Sequence, residues 1–268
     1  HLEFVNSEIK KQISNLKRFV SSLKKDIISE QQEFRDNRSN TKYKDLKKNI
    51  KDINTQIFNY DEATEKLTIL NENLKSAYFG SIVFDEDKFY IGKFSVQNSD
   101  GTNVLVNDWR APISSVFYEF ELGQAHYLCP AGLIEGNLTK KMQYKIEDSN
   151  LVYLFDTSVT IRDEILQQAL AESSSTKMKT IVSTIQKKQN QIIRLPLNKN
   201  IVVQGVAGSG KTSIALHRIA YLLYNNRKNL NSKNILVFSP NNVFSSYIGS
   251  VLPELGEENV KEISFDEI

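Results

Sequence analysis

The sequence predicts an α+β multidomain chain in three parts: a long antiparallel helical hairpin, a small antiparallel β domain, and the opening of a parallel α/β domain. Three observations carry that expectation. Apolar residues at steps of three and four fill residues 1–79, where neither Pro nor Gly occurs. Short β-branched and aromatic runs separated by turn residues fill 80–160, and a glycine-rich loop stands between an apolar run and a helical pattern within 161–268.

The chain of 268 residues, 40% hydrophobic and 25% charged, is long enough for more than one core and has an ordinary globular composition. No apolar run approaches the ~20 residues of a membrane helix, and the N-terminus lacks a signal-peptide core, so the expectation is a cytoplasmic protein without membrane association. One cysteine excludes an intrachain disulfide, and three scattered histidines have no metal-ligand spacing. Cys129 is expected as a small buried side chain in a strand. The net charge of +2 is unevenly spread: residues 1–51 hold thirteen Lys and Arg against seven Asp and Glu, and residues 52–79 hold two against five. A basic face is a solvated surface or a nucleic-acid contact.

In the first part, Leu2, Val5, Ile9, Leu16, Val20, Leu23 and Ile27 form one stripe, with Gln12 taking a seam place beside Ile13. A second runs through Tyr43, Leu46, Ile50, Ile53, Ile57, Tyr60, Leu67, Leu74 and Tyr78, after the polar stretch from Arg35 to Thr41. Two helices of about 33 and 36 residues, folded back as an antiparallel coiled coil, satisfy both stripes. Such a hairpin projects from a body, is gripped by a partner, or pairs with a second copy.

The second part reads as about seven strands, at 80–84, 88–92, 103–106, 115–120, 125–128, 141–146 and 151–155, in a small, barrel-like domain. Turn signals fall at Asp85-Glu86-Asp87, Ser99-Asp100-Gly101, Glu121 to Gln124, Glu135-Gly136-Asn137 and Asp148-Ser149-Asn150. The only Trp lies in Asp108-Trp109-Arg110-Ala111-Pro112-Ile113, which reads as a packed corner with a satisfied ion pair.

The third part predicts helices at 163–172 and 177–194, a strand at 201–204, a helix at about 211–225, a strand at 234–239 and a helix at 243–252. Gly205-Val206-Ala207-Gly208-Ser209-Gly210-Lys211-Thr212 fits G-x-x-x-x-G-K-[ST] at every fixed position, followed by Ser213. Between a strand and a helix, this is a nucleotide site in which backbone N–H groups cradle phosphates. Lys211 reaches the β- and γ-phosphates as the candidate catalytic residue, and Thr212 holds Mg²⁺. The alternative is a Gly-rich turn without a ligand. Gln189, 22 residues before Lys211, carries an amide able to accept from adenine N6–H and donate to N7, so the expected nucleotide is ATP. Ser239, Pro240, Asn241 and Phe244, with Tyr247, are candidate nucleic-acid contacts at the carboxyl edge of the sheet. Equally, Phe244 is core and Ser239 an N-cap. After Ser239 no apolar run ends in an acidic pair, and Phe265-Asp266-Glu267-Ile268 has none before it. The chain also begins without Met, so a fragment lacking a hydrolytic carboxylate, and inactive alone, is expected.

Thr184 to Gln189, the loop, Ala215-Leu216-His217-Arg218-Ile219-Ala220-Tyr221-Leu222-Leu223-Tyr224, and Phe238 to Asn241 through Val251 to Glu257 resemble superfamily 1 DNA helicases of the UvrD/Rep type. With Tyr78-Phe79-Gly80 and Asp108 to Ile113 added, the chain is similar to the HelD-type factors that recycle bacterial RNA polymerase. The resemblance implies a RecA-like ATP-binding domain at 161–268, with Gln189 reading adenine and Gly208, Gly210, Lys211 and Thr212 holding phosphate and Mg²⁺. Ser239, Pro240 and Asn241 stand where helicases of this type contact single-stranded DNA. It also implies RNA polymerase as partner, engaged by residues 1–79, with ATP-driven motion releasing nucleic acid. A DNA-translocating helicase, or a coiled-coil adaptor stabilised by nucleotide, is the alternative. The turn carries Arg35, Arg38 and Lys42 against Asp36, unlike the acidic tips of factors that act on the polymerase metal.

Overall fold

Helices need a seam to bury, and the first 75 residues supply one. In a computed structural model describing residues 1–37, 43–157, 185–239, 248–249 and 251–264, α1 spans Leu2–Asn37 and α2 Tyr43–Lys75. They pack as an antiparallel pair. Gln56 Nε2 donates to Glu30 Oε1 at 2.5 Å toward one end. At the other, Ser149 binds both helices, its carbonyl accepting from Asn6 Nδ2 and its hydroxyl donating to Leu74 O. On α1 the stripe is the one the spacing predicts, with Val5, Ile9 and Ile13 buried and Gln12 half-buried beside them. On α2 it is shifted. Ile53, Gln56, Tyr60, Ala63, Leu67, Leu70 and Leu74 face inward at strict three-four steps, while Ile50 and Ile57 are 49% and 36% exposed. A seven-residue period fixes the seam, and the Gln56–Glu30 bond takes a place that hydrophobicity alone gives to Ile57.

The strand region forms a seven-stranded sheet: β1 Gly80–Phe84, β2 Asp87–Gly92, β3 Val96–Gln97, β4 Val104–Asp108, β5 Gly123–Cys129, β6 Gly132–Glu147 and β7 Asn150–Asp156. Its order is β3-β4-β2-β1-β6-β5, with β7 also on β6. Asp85 and Glu86, and again Asp148 and Ser149, take positive φ in two-residue hairpin turns. Several features differ from the sequence expectation. The sheet is mixed, because β2 pairs with β4 in parallel, Ile91 opposite Asn107. The run at 115–120 is a short helix, α3 (Ser115–Glu119), entered through i→i−3 bonds from Ser114 to Ala111 and Ser115 to Pro112. Its Val116, Phe117 and Tyr118 are buried, so the aromatic content that suggested a strand reports burial instead. Finally, Glu135-Gly136-Asn137 is not a turn but lies inside β6. A Cβ at Gly136 would collide with Phe84 and Asp85, so this glycine serves a close approach of strands. Cys129 ends β5 half-buried rather than buried, its thiol donating to Gly132 O.

Beyond the sheet lie α4 (Lys187–Ile193), α5 (Lys211–Asn225), a 3₁₀ turn at Ser232–Asn234, and strands β8 (Leu236–Ser239) and β9 (Lys261–Ser264). β8 and β9 pair in parallel, Val237 opposite Glu262, as an α/β domain requires. β9, directly before Phe265, has a polar Lys-Glu-Ile-Ser sequence that does not predict a strand. Conversely, residues 201–204 are not in a strand: Val202 is 94% exposed, and an apolar run becomes a strand only where a neighbour takes its backbone hydrogen bonds. The expected helix at 163–172 and the start of the one at 177–194 lie outside the described residues. So do Arg38 and Lys42 of the turn, most of the 243–252 helix, and Phe265 to Ile268.

The chain divides into two compact units. One is His1–Ala77 with Val96–Leu105 and Ile146–Leu151; the other is Tyr78–Ser95, Val106–Lys145 and Val152–Ile268. In the first, Glu8 on α1 accepts from the Ser99 amide at 2.9 Å and hydroxyl at 2.5 Å and pairs with Lys11 at 2.6 Å. In the second, one core joins Ile82, Ile91, Trp109, Val116 and Phe117 to Ile193, Leu216, Ala220 and Leu252. Among the described residues no helix is long and apolar enough to cross a membrane.

Candidate nucleotide-binding site

The glycine-rich loop is built by backbone conformations that glycine reaches without strain. Gly208 and Gly210 have φ of 79° and 81°, and Gly210 is the N-cap of α5. At Gly205 a Cβ would stand 2.7 Å from Ser209 Oγ and would turn that hydroxyl aside. The loop closes with the Ser209 amide donating to Val206 O at 3.2 Å, and residues 205–209 are exposed. Lys211 Nζ turns back over it, donating to Gly205 O at 3.0 Å and Val206 O at 2.8 Å. The first amides of α5, at Lys211 and Thr212, have no acceptor within the helix. A phosphate chain would fit this arrangement: the amides and the helix dipole would face it, Lys211 would exchange two carbonyls for phosphate oxygens, and Thr212 would offer a hydroxyl to Mg²⁺. Among the described residues no cluster of three or more His, Cys, Asp or Glu could hold a metal.

Gln189 stands at this loop, where a Cβ on Gly210 would come within 3.2 Å of its Nε2. Its Oε1 accepts from the Gln186 amide at 3.0 Å, which caps α4 and fixes the side chain's direction. Ser213 and His217 follow on α5. The imidazole Nδ1 is 2.7 Å from Ser213 O and so carries the proton, and burial lowers the His217 pKa, leaving the ring neutral. That ring meets Trp109 edge-on at 5.5 Å.

The Trp-containing segment is the packed corner its sequence suggests. Arg110 forks onto Asp108, Nε to Oδ1 at 2.9 Å and Nη2 to Oδ2 at 2.7 Å. Its Nη1 donates to Leu255 O at 3.1 Å and to Glu257, and the guanidinium lies 4.6 Å from the Tyr224 ring. Thus the Asp108–Ile113, Ala215–Tyr224 and Val251–Glu257 strings, distant in sequence, share one packed cluster.

The structure brings together Gln189, Gly205 to Lys211, Thr212 and Ser213. It does not bring Ser239 to the surface; that side chain is fully buried at the end of β8. Pro240, Asn241, Phe244 and Tyr247 lie outside the described residues. Sequence reasoning missed two arginines. Arg218 on α5 donates to Ile192, Ile193, Leu195 and Pro196 carbonyls, and Arg194 donates to those of Trp109, Arg110 and Ala111. Apart from the bond of Arg194 Nε to Asn190 Oδ1 one turn back, their partners are main-chain oxygens, which no spacing announces.

Comparison with known families decides the kinship. The family described as DNA helicase IV HelD, N-terminal domain, matches residues 6–174, more than half of the chain. The chain belongs to that family. Residues 185–248, which hold Gln189, the loop, α5 and β8, match the UvrD/REP helicase N-terminal domain. The helices and sheet are therefore the HelD-type N-terminal region, and the loop sits in a UvrD-like helicase segment. No curated protein matches the chain.

Proposed function

We propose that this chain is the ATP-binding N-terminal part of a helicase-like ATPase that binds and recycles RNA polymerase, the hairpin at 1–79 engaging the polymerase in the cytoplasm. The observation that carries the reading is the meeting of Gln189 with a glycine loop whose lysine and helix N-terminus are laid out for phosphates. The family match supports the helicase-like part, and the excess of Lys and Arg over Asp and Glu in residues 1–51 supports a partner bearing negative charge. ATP with Mg²⁺ is the ligand, Lys211 the residue that touches the transferring phosphate, and nucleic acid is released by ATP-driven domain motion.

Calorimetry tests the site. Lys211→Ala removes a charge-assisted contact of about 1.5–3 kcal/mol and weakens Mg·ATP at least about tenfold; unchanged affinity rejects it. Co-migration of the intact chain with core RNA polymerase, reduced by Lys24→Glu and Lys25→Glu, tests the partner. A chain that ignores polymerase yet holds single-stranded DNA in a nucleotide-dependent way supports the second reading, a DNA-translocating helicase.

A further inference from the structure

We infer that Arg194 is a positioning residue for base recognition: it locks the Gln189 helix to the Trp109–Ala111 corner and so sets how the nucleotide base is read, without touching the nucleotide. The inference rests on the reading of Gln189 and residues 205–213 as an ATP site.

The geometry begins with α4, a helix of only seven residues, too short to hold its place by its own hydrogen bonds. Its position comes from side chains at its C-terminal end. Arg194, the C-cap, spreads its guanidinium over the corner, Nη2 to Trp109 O at 2.6 Å and Nη1 to Arg110 O at 3.2 Å and Ala111 O at 3.3 Å. Its Nε returns to Asn190 Oδ1 at 3.0 Å, one turn back. Asn190 is fully buried, and its amide donates to Glu119 Oε1 of α3 at 2.6 Å. From the other side, Arg218 of α5 grips the same helix end, with Nη1 to Leu195 O at 2.7 Å. The residue beside Asn190 is Gln189, whose Nε2 stands 3.2 Å from the place of a Gly210 Cβ.

The corner is itself rigid, because Arg110 is buried in its fork with Asp108 and its contact with Glu257. A planar five-donor group is what such a span of carbonyls requires; an ammonium at the same place is a single point donor. A shift of a few tenths of an ångström in α4 moves the Gln189 amide relative to the loop, while the loop's own hydrogen bonds do not involve Arg194. Base recognition and phosphate binding therefore separate.

The experiment titrates the intact chain with Mg·ATP, and separately with Mg·tripolyphosphate, which has the phosphates and no base. Arg194→Ala is expected to weaken ATP severalfold, up to about tenfold, the scale of the neutral hydrogen bonds by which the Gln189 amide reads the base, and to leave tripolyphosphate unchanged. Arg194→Lys falls between. Gln189→Ala shows the same pattern, and the double variant loses no more than Gln189→Ala alone, because the two act through one amide. Circular dichroism and the thermal midpoint identify a variant that fails to fold; Arg194→Lys then carries the test. Unchanged ATP affinity in both Arg194 variants, equal losses for the two ligands in a folded variant, or additive losses in the double variant overturn the inference while leaving the ATP site standing. Wild-type chain that binds neither ligand removes the site itself, and the inference with it.

Discussion

At the scale of the residue, His217 shows how a side chain's neighbours set its chemistry. It is 2% exposed, its Nδ1 proton is held by the Ser213 carbonyl, and burial lowers its pKa. In the unfolded chain the same ring takes up a proton near pH 6.5. The folded state binds fewer protons than the unfolded one between its lowered pKa and pH 6.5, so stability rises with pH across that window. The contribution is fully present above pH 6.5 and is lost as pH falls through the folded pKa. Urea unfolding followed from pH 8 to pH 5 is expected to show a falling midpoint, and His217→Gln a smaller fall; equal slopes in the two proteins contradict this. Glu8 runs the same way at lower pH. Lys11 first, and then the Ser99 hydroxyl and amide, hold its carboxyl down to about 2. Its contribution is present above the usual carboxylate pKa of about 4.3 and disappears as pH falls toward 2.

At the scale of the element, the hairpin separates hydrophobicity from position. Leu70 and Ile57 are both large apolar residues of α2, yet Leu70 is 6% exposed and Ile57 36%. Leu70→Ala should therefore lower stability by about 2–4 kcal/mol, and Ile57→Ala by under about 1 kcal/mol, measured by urea denaturation. Reversed values would place the seam where the apolar stripe alone puts it. The same lesson recurs in the sheet. Residues 115–120 have strand composition and form a helix because Pro112 and Ser114 start a turn and Val116 to Tyr118 bury against the core. Residues 261–264 have little strand character and form β9 because β8 lies alongside in register.

At the scale of the whole molecule, the candidate nucleotide site and the sole tryptophan belong to the same compact unit. Ligand that binds only the folded state adds RT ln(1 + [L]/Kd), about 2.7 kcal/mol at a hundredfold excess over Kd. Mg·ATP should thus raise the unfolding midpoint read by Trp109 fluorescence, and in Lys211→Ala the same concentration should raise it much less. A midpoint indifferent to ATP in the wild-type chain would count against the site.

Much was legible in the sequence because it rests on local chemistry. Helical spacing without Pro or Gly announced α1 and α2, although α1 runs on through Arg35–Asn37 of the expected turn and α2 stops at Lys75, short of Tyr78; Asp85-Glu86 and Asp148-Ser149 announced their hairpins. The glycine loop was legible for the same reason, since positive φ at 208 and 210 and the lysine that follows are written in residue types. The tertiary structure decided what depends on a partner distant in the chain: which α2 residues face inward, that β2 pairs with β4 in parallel, that 201–204 stays out of a ladder, and that Gln189 reaches Gly210. Arg194 and Arg218 belong with these. Apart from Asn190 Oδ1 on Arg194, their partners are backbone carbonyls, which every residue carries, so only folding could say which oxygens they hold.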